Sequence, residues 1–353
     1  MSCKVFTFAF LNVHGIMKCF LVVLGLFLLL GGALFYSYRW VWNAPALSNS
    51  HDYILWVDEG HGLEQVQQML EDSLGLQHTF LFKKVVDRMN VAAHIKPGRY
   101  TLKPGLSLID LARVLRSAAD QTVNIVIRGS SDVRSIPAYL SEVLMPSKEQ
   151  FVRYHESDSF IASLGFNRAT FPAMFIPNTY NVFYFSDPTQ VYLRLNKEYE
   201  RFWNEDRKAK ANLLGLSPVE VSTLASIVDK ETTQIDEMPR IAGVYLNRLK
   251  ANHPLQADPT VKFALDSASL NRILIVHTQI EHPYNTYYIV GLPPGPICIP
   301  SVQAIEAVLN AENHKYFYFC AQPNFSGYHH FAVTYSEHLK NRKAYQRFLN
   351  QIQ

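Results

Sequence analysis

The residue whose position argues most directly for chemistry in this 353-residue chain is Glu231. It falls near the end of the stretch SPVEVSTLASIVDKETT, residues 217–233. Ser217 is a good N-cap, Pro218 suits the first helical position and Glu220 completes a capping box, so a helix start is well marked. Val221, Leu224, Ala225 and Val228 recur at helical intervals and make one apolar face. Glu231 follows Val228 by three residues, Ile227 by four and Leu224 by seven, which puts it within that apolar arc. A carboxyl group held there is desolvated. Its pKa then rises from the ~4.3 of a free Glu towards neutrality, as a general acid requires. The spacing equally allows a second reading, in which Glu231 sits in a fraying last turn and points to water. Asp229 lies about 200° around the helix from Glu231, so this one helix cannot build the paired carboxylates of a glycosidase.

Elements that would position such an acid follow in order. The spacing predicts a long helix over 189–210 with Tyr192, Leu195, Tyr199 and Phe202 on one face, and another over 239–249 with Ile241, Val244, Tyr245 and Leu249 inward. Two stretches, LQADPTV at 255–261 and PYNTYYIVGLPPGPICIPS at 283–301, are dense in Pro, Gly, Asn and Tyr and read as loops. Amides and phenols beside a buried acid are where a sugar would be held. A short helix closes at 308–310. KYFYFCAQ and HHFAVTY then alternate like a β-hairpin whose Tyr316 and Phe331 back the site, and a charged helix runs from 336 to 351. The aromatic segment FPAMFIPNTYNVFYF, 171–185, suits either sugar stacking or ordinary core.

Upstream, YILWVDEGHGLEQVQQML is echoed 45 residues later by RYTLKPGLSLIDLARVL, with Gly60 matching Gly105 and Leu63 matching Leu108. Each copy reads as strand, Gly turn and amphipathic helix, and a looser third copy starts at 123 with Gly129 in the turn. Such units resemble the LysM module that binds cell-wall glycan; a packed α+β spacer is the alternative. Residues 19–38 hold no charge and are long enough to cross a bilayer as a helix, with Lys18 before them and Tyr36, Tyr38, Trp40 and Trp42 crowding the other end. The expected plan is a cytoplasmic N-terminus over 1–18, a transmembrane helix over 19–38 and the rest outside. A cleaved signal peptide ending near Ala44-Pro45-Ala46 is the competing reading, and Met17 offers an alternative start. Lys and Arg number 33 against 30 Asp and Glu, which gives no argument for nucleic acid. Two of the four cysteines, Cys298 and Cys320, would face the oxidising side and could pair, but two do not make a disulfide framework. The 13 histidines show no metal-ligand spacing, so neither metal nor cofactor is expected.

Taken together, ASIVDKET at 225–232, VYLNRL at 244–249, LQADPTV and YNTYYIVGLPPGPI at 284–297 resemble the successive motifs of the endolytic murein transglycosylases, the MltG/YceG-like family. The resemblance covers residues 19 to the C-terminus. It implies an α+β fold with one N-terminal transmembrane helix, a LysM-like region within 39–130 and a mixed α+β catalytic domain over 131–353. It implies a bacterial inner-membrane enzyme, with the catalytic domain periplasmic, that cuts the MurNAc–GlcNAc bond of nascent peptidoglycan to leave 1,6-anhydro ends and so terminates glycan elongation beside peptidoglycan synthases. Glu231 falls on the family's acid/base. Gln256, Asp258, Tyr284, Asn285 and Thr286 fall on its groove. This sequence departs from the family at Asp229, where Glu is usual, at Asn178, where Asp is usual, and at Tyr328, where Gly is usual. A glycan hydrolase pairing Glu231 with Asp258, and a non-catalytic wall-binding scaffold, are the alternative functions.

Overall fold

The structure, a computed structural model, describes residues 5–43, 45–58, 60–117, 122–266 and 273–351. It divides into two compact units, Met1–Thr122 and Val123–Gln353.

In the first unit, helix α1 (Val5–Asn43) precedes β1 (Tyr53–Val57), α2 (Leu63–Leu74), α3 (Thr79–Arg88), β2 (Gly98–Leu102) and α4 (Leu108–Arg116). Among the described residues no single helix is long and apolar enough to cross a membrane, and the shorter apolar stretch of α1 is Phe20–Tyr36. Phe27, Leu28, Leu29 and Leu34 on it are exposed. The two echoed sequence copies pair with each other: β1 runs antiparallel to β2, Leu55 opposite Tyr100 and Val57 opposite Gly98. Alternate strand residues Leu55, Val57, Tyr100 and Leu102 then face the same core as Val66, Leu70, Phe82 and Leu111. Neither copy closes a core alone, because a two-residue-period strand has one apolar face and needs a helical face to cover it.

The second unit holds β3 (Thr122–Ile127), α5 (Ile136–Val143), α6 (Lys148–His155), α7 (Asp158–Ser163), β4 (Asn178–Phe183), α8 (Pro188–Phe202), α9 (Glu205–Leu214), α10 (Pro218–Glu231), α11 (Met238–Lys250), α12 (Asp258–Ala264), α13 (Ile275–Thr278), α14 (Val302–Leu309), β5 (Tyr318–Ala321), β6 (His329–Ala332) and α15 (Tyr335–Asn350). Small two-stranded sheets, β3–β4 and β5–β6, flank a helical centre. The architecture is mixed α+β, as expected. The third sequence copy pairs its strand with β4 rather than with β1 and β2.

Helix α10 is the centre of this unit. Ser217 accepts from the Glu220 amide and the Glu220 side chain bonds back to the Ser217 amide at 2.7 Å, forming the expected capping box. Its burial exceeds one apolar stripe. Ser222, Thr223 and Ser226 are buried with Val221, Leu224, Ala225, Ile227 and Val228, because α9, α11, α12 and α14 all pack on it. Ser226 is satisfied twice, donating to Thr223 O and accepting from the Ile297 amide. Each fully buried aliphatic side chain here is worth about 1.5–3 kcal/mol of transfer free energy.

Two predicted boundaries differ. The helix expected over 189–210 breaks at Trp203, which turns into the core, and Asn204 restarts it as α9 by accepting from the Arg207 amide. LQADPTV is not wholly loop, since Asp258 begins α12 with Pro259 in its first turn, where a missing amide costs nothing. The aromatics of 171–185 are mainly core. Phe171 and Phe175 pack edge-to-face at 5.1 Å around His155 and Tyr192, and the buried Tyr180 donates to Ile176 O.

Candidate active site

Glu231 is the last helical residue of α10, and Thr232 leaves in an extended conformation. A helix C-terminus carries partial negative charge, so the position itself disfavours a carboxylate. Tyr245, on one side of α11, donates its hydroxyl to Glu231 Oε1 at 2.7 Å. Desolvation is the largest influence on the acid and raises its pKa to about 7; the Tyr245 hydrogen bond opposes it, the Asp258 charge adds to it, and Arg248 and Lys262 oppose it more weakly. Burial and the neighbouring acid raise the Tyr245 phenol well above its ordinary range, so it stays a donor.

The carboxyl group opens onto a polar cavity of about 630 Å³ whose wall includes Tyr245, Arg248, Gln256, Asp258, Tyr287 and His329. Gln256 sits at φ +50°, a tight left-handed turn, with its amide donating to Thr286 O at 3.0 Å. The adjacent Ala257 amide donates to Thr286 Oγ1 at 2.9 Å, and Thr286 Oγ1 also meets Thr260 Oγ1 at 2.8 Å. Tyr287 donates to Asp258 Oδ1 at 2.7 Å. The structure therefore brings Glu231, Gln256 and Asp258 onto one wall.

The other three candidates lie elsewhere. Asn285 and Thr286 are fully buried behind that wall. Asn285 Nδ2 donates to the carbonyls of Thr278 and Ile280, and its Oδ1 accepts from the Tyr287 amide, so it fixes the turn that presents Tyr287. Tyr284 packs on Phe263 with ring centres 4.7 Å apart and the planes tilted by 49°, and it lines a separate cavity of about 420 Å³. Tyr316 and Phe331 pack against each other with tilted rings at 5.6 Å, and neither borders the Glu231 cavity. The exposed Asn178 and Thr179 do not border it either.

Asp229 faces away from Glu231, as its angular offset requires. It accepts from Ser130 Oγ at 2.6 Å, Ser301 Oγ at 2.7 Å and the Ser301 amide at 3.1 Å, tying the turn after β3 to the N-cap of α14. Gly129 permits this approach, since a Cβ there would meet Ser301 at 2.8 Å. Lys230 Nζ donates to Ser130 O and reinforces the same junction. Cys298 and Cys320 are both free thiols.

Several wall residues were not singled out from the sequence. Tyr245 reads there as an inward helix residue, and only the packing of α11 on α10 turns its hydroxyl towards Glu231. Arg248 donates to Phe317 O and Leu255 O, which ties α11 to the residue that leads into β5 and to the loop before α12. Glu237, 2% exposed, accepts from the His329 amide at 2.8 Å and from His329 Nδ1 at 2.7 Å. That bond places the Nδ1 proton of His329 towards Glu237 and leaves Nε2 as its other polar atom. No sequence spacing links residues 237 and 329.

A desolvated acid with a pKa near 7, a phenol donor on it and a polar cavity in front of it can give and take a proton at neutral pH. Several proteins are similar to this chain over most of its length. An endolytic murein transglycosylase of Bacillus subtilis is 27% identical over 342 residues, covering 90% of this chain and 91% of that protein. One from Streptococcus pneumoniae is 25% identical and covers 92% of this chain and 64% of that protein. The crystal structure of a yceG-like protein from Listeria monocytogenes has a similar fold, with a TM-score of 0.54 and 24% identity over 83% of this chain and 99% of that one. Residues 55–344 match the model of the YceG-like family, and the chain belongs to that family.

Proposed function

We propose that this protein is a membrane-anchored lytic transglycosylase that cleaves the MurNAc–GlcNAc bond within nascent peptidoglycan strands, with Glu231 as its acid/base. The observation that carries the reading is the Glu231 carboxyl group itself, raised to about 7 and held by Tyr245 on a polar cavity. The protonated acid gives its proton to the glycosidic oxygen as positive charge develops at the muramic C1. The resulting carboxylate then takes the proton of the sugar's C6 hydroxyl, whose oxygen closes on C1 to give a 1,6-anhydro end. One acid serves both steps, so no water has to be activated. Tyr245 stabilises the carboxylate formed midway, when a hydrogen bond to the charged form is worth most. Gln256, Asp258 and Tyr287 contact the sugars, while Asn285 and Thr286 hold the loops that present them.

The repeated strand–turn–helix unit resembles the LysM module, and we assign it contact with the glycan strand. The exposed apolar stretch of α1, together with the uncharged residues that flank it within 19–38, serves as the single-pass anchor in the bacterial inner membrane, with the enzyme on the periplasmic side. Such an anchor restricts reach to newly made strands, and cutting there terminates elongation near the synthases.

Mass spectrometry of products from the full chain and its Glu231→Gln variant, incubated with uncrosslinked glycan, tests the reaction. Fragments lighter by one water at the muramic end, absent with the variant, are expected. Full activity in the variant overturns the assignment of Glu231. A hydrolase is the second reading, favoured by Asp258 sharing the cavity and raising the Glu231 pKa. It requires reducing ends among the products and loss of turnover in Asp258→Asn with binding intact.

A further inference from the structure

The cavity holds basic groups that take no part in proton transfer at Glu231. Arg248 is 6% exposed, and its guanidinium donates to two main-chain carbonyls with no carboxylate at ion-pair distance among the described residues. It lies 5.4 Å from the centre of the Tyr318 ring. A buried guanidinium with no carboxylate in direct contact is costly, and carbonyl oxygens, an aromatic face and the more distant Glu231 offset only part of that cost. Arg342 and His338, both from α15, line the same cavity. The His338 ring stacks on Tyr318 at 5.4 Å and 28°, and its Nδ1 is buried without a hydrogen-bond partner among the described residues. Helix α15 has no buried residue, so packing alone does not demand these groups at this wall. The two acids on the wall are already engaged, Glu231 by Tyr245 and Asp258 by Tyr287.

We propose that Arg248, Arg342 and His338 form a subsite for a carboxylate carried by the glycan strand. The carboxylate is either the free lactyl group of a bare muramoyl unit or a carboxylate of its stem peptide. This rests on the reading that the cavity takes peptidoglycan. A guanidinium held in advance by two carbonyls presents its remaining N–H groups in a fixed fork, which suits a planar carboxylate. Arg342 adds a second cation, and His338 Nδ1 gains the partner it lacks. Only muramoyl residues carry the lactyl ether, which either ends in the free carboxylate or is amide-linked to the peptide that bears the other. The subsite therefore sets which sugar stands next to Glu231, and with it which of the two alternating bonds is cut.

The test uses the full-length Glu231→Gln protein, which binds without turnover, and three probes: amidase-trimmed strands with free lactyl carboxylates, peptide-bearing strands, and neutral N-acetylglucosamine oligomers. Calorimetric titration is run with and without Arg342→Met, a change at an exposed helical position. Arg342→Met is expected to weaken one carboxylate-bearing probe by about 5- to 10-fold, the net scale of one hydrogen bond at an exposed position, and to leave the neutral oligomer unchanged. Arg342→Lys is expected to recover part of the loss, and added salt to shrink it. The probe that loses affinity identifies the source of the carboxylate. Equal loss on all three probes, or none on either charged one, overturns the subsite. Product analysis of the Glu231-containing protein separates the two ideas. Anhydro ends together with binding indifferent to Arg342 keep the reaction and refute the subsite. Carboxylate-dependent binding without anhydro ends keeps the subsite and refutes the reaction.

Discussion

Replacing Glu231 by Gln should stabilise the protein at alkaline pH and leave it unchanged at acid pH. The folded-state pKa of about 7 lies above the ordinary 4.5, so between these values the folded chain binds more protons at this site than the unfolded chain. An acid raised in this way is fully compatible with folding below pH 4.5, and its burial costs stability as pH climbs to 7. The cost levels off above that. The difference 7 − 4.5 = 2.5, at ~1.36 kcal/mol per pH unit, corresponds to up to about 3 kcal/mol. Gln is nearly isosteric, keeps an oxygen for the Tyr245 hydroxyl and carries no charge to desolvate. For a unit of this size the difference amounts to ~5–10 °C in melting temperature. Paired thermal melts of both proteins from about pH 4 to about pH 8 measure it, and the two curves should converge at the acid end and separate at the alkaline end. A gap that is constant with pH would mean that Glu231 titrates like an exposed acid, and the argument from desolvation would fail.

Removing the phenol in Tyr245→Phe deletes the hydrogen bond that favours the carboxylate, so the alkaline limb of the activity profile should move up by about one pH unit. An unmoved limb, read from the rate of anhydro-end formation against pH, would show that Tyr245 does not act on the acid. Asp229→Ala frees Ser130 and the α14 cap together and should cost about 2 kcal/mol in chemical denaturation, without displacing that limb. Thr286→Val keeps shape but removes the acceptor for the Ala257 amide. It should cost about 1–3 kcal/mol and lower kcat/KM for strand cleavage, while circular dichroism stays native.

Local signals in the sequence were enough for α10 from cap to end, for the β5–β6 hairpin, and for the mixed α+β class. Capping and periodicity act over a few residues, where neighbours along the chain are neighbours in space. Misreadings arose where tertiary packing overrode them. The break at Trp203 needs a core into which that ring can turn, and the helical start at Asp258 needs Thr286 to hold the preceding backbone. The pattern LQADPTV carries neither fact.

The same division runs through the site. Chain spacing alone placed Glu231 in an apolar arc and Asp229 on another side of the helix, because both statements depend only on the helical repeat. Whether the acid was desolvated or merely frayed was decided by α11, which brings Tyr245 onto it from fourteen residues away. That Gln256 and Asp258 face the acid while Asn285 and Thr286 stand behind the wall was likewise decided in three dimensions. Loop composition reports which side chains are present, whereas the direction of each depends on hydrogen bonds between segments distant in sequence. Arg248, His338 and Arg342 meet for the same reason: only the folded chain returns α15 to the cavity that α10 and α11 enclose.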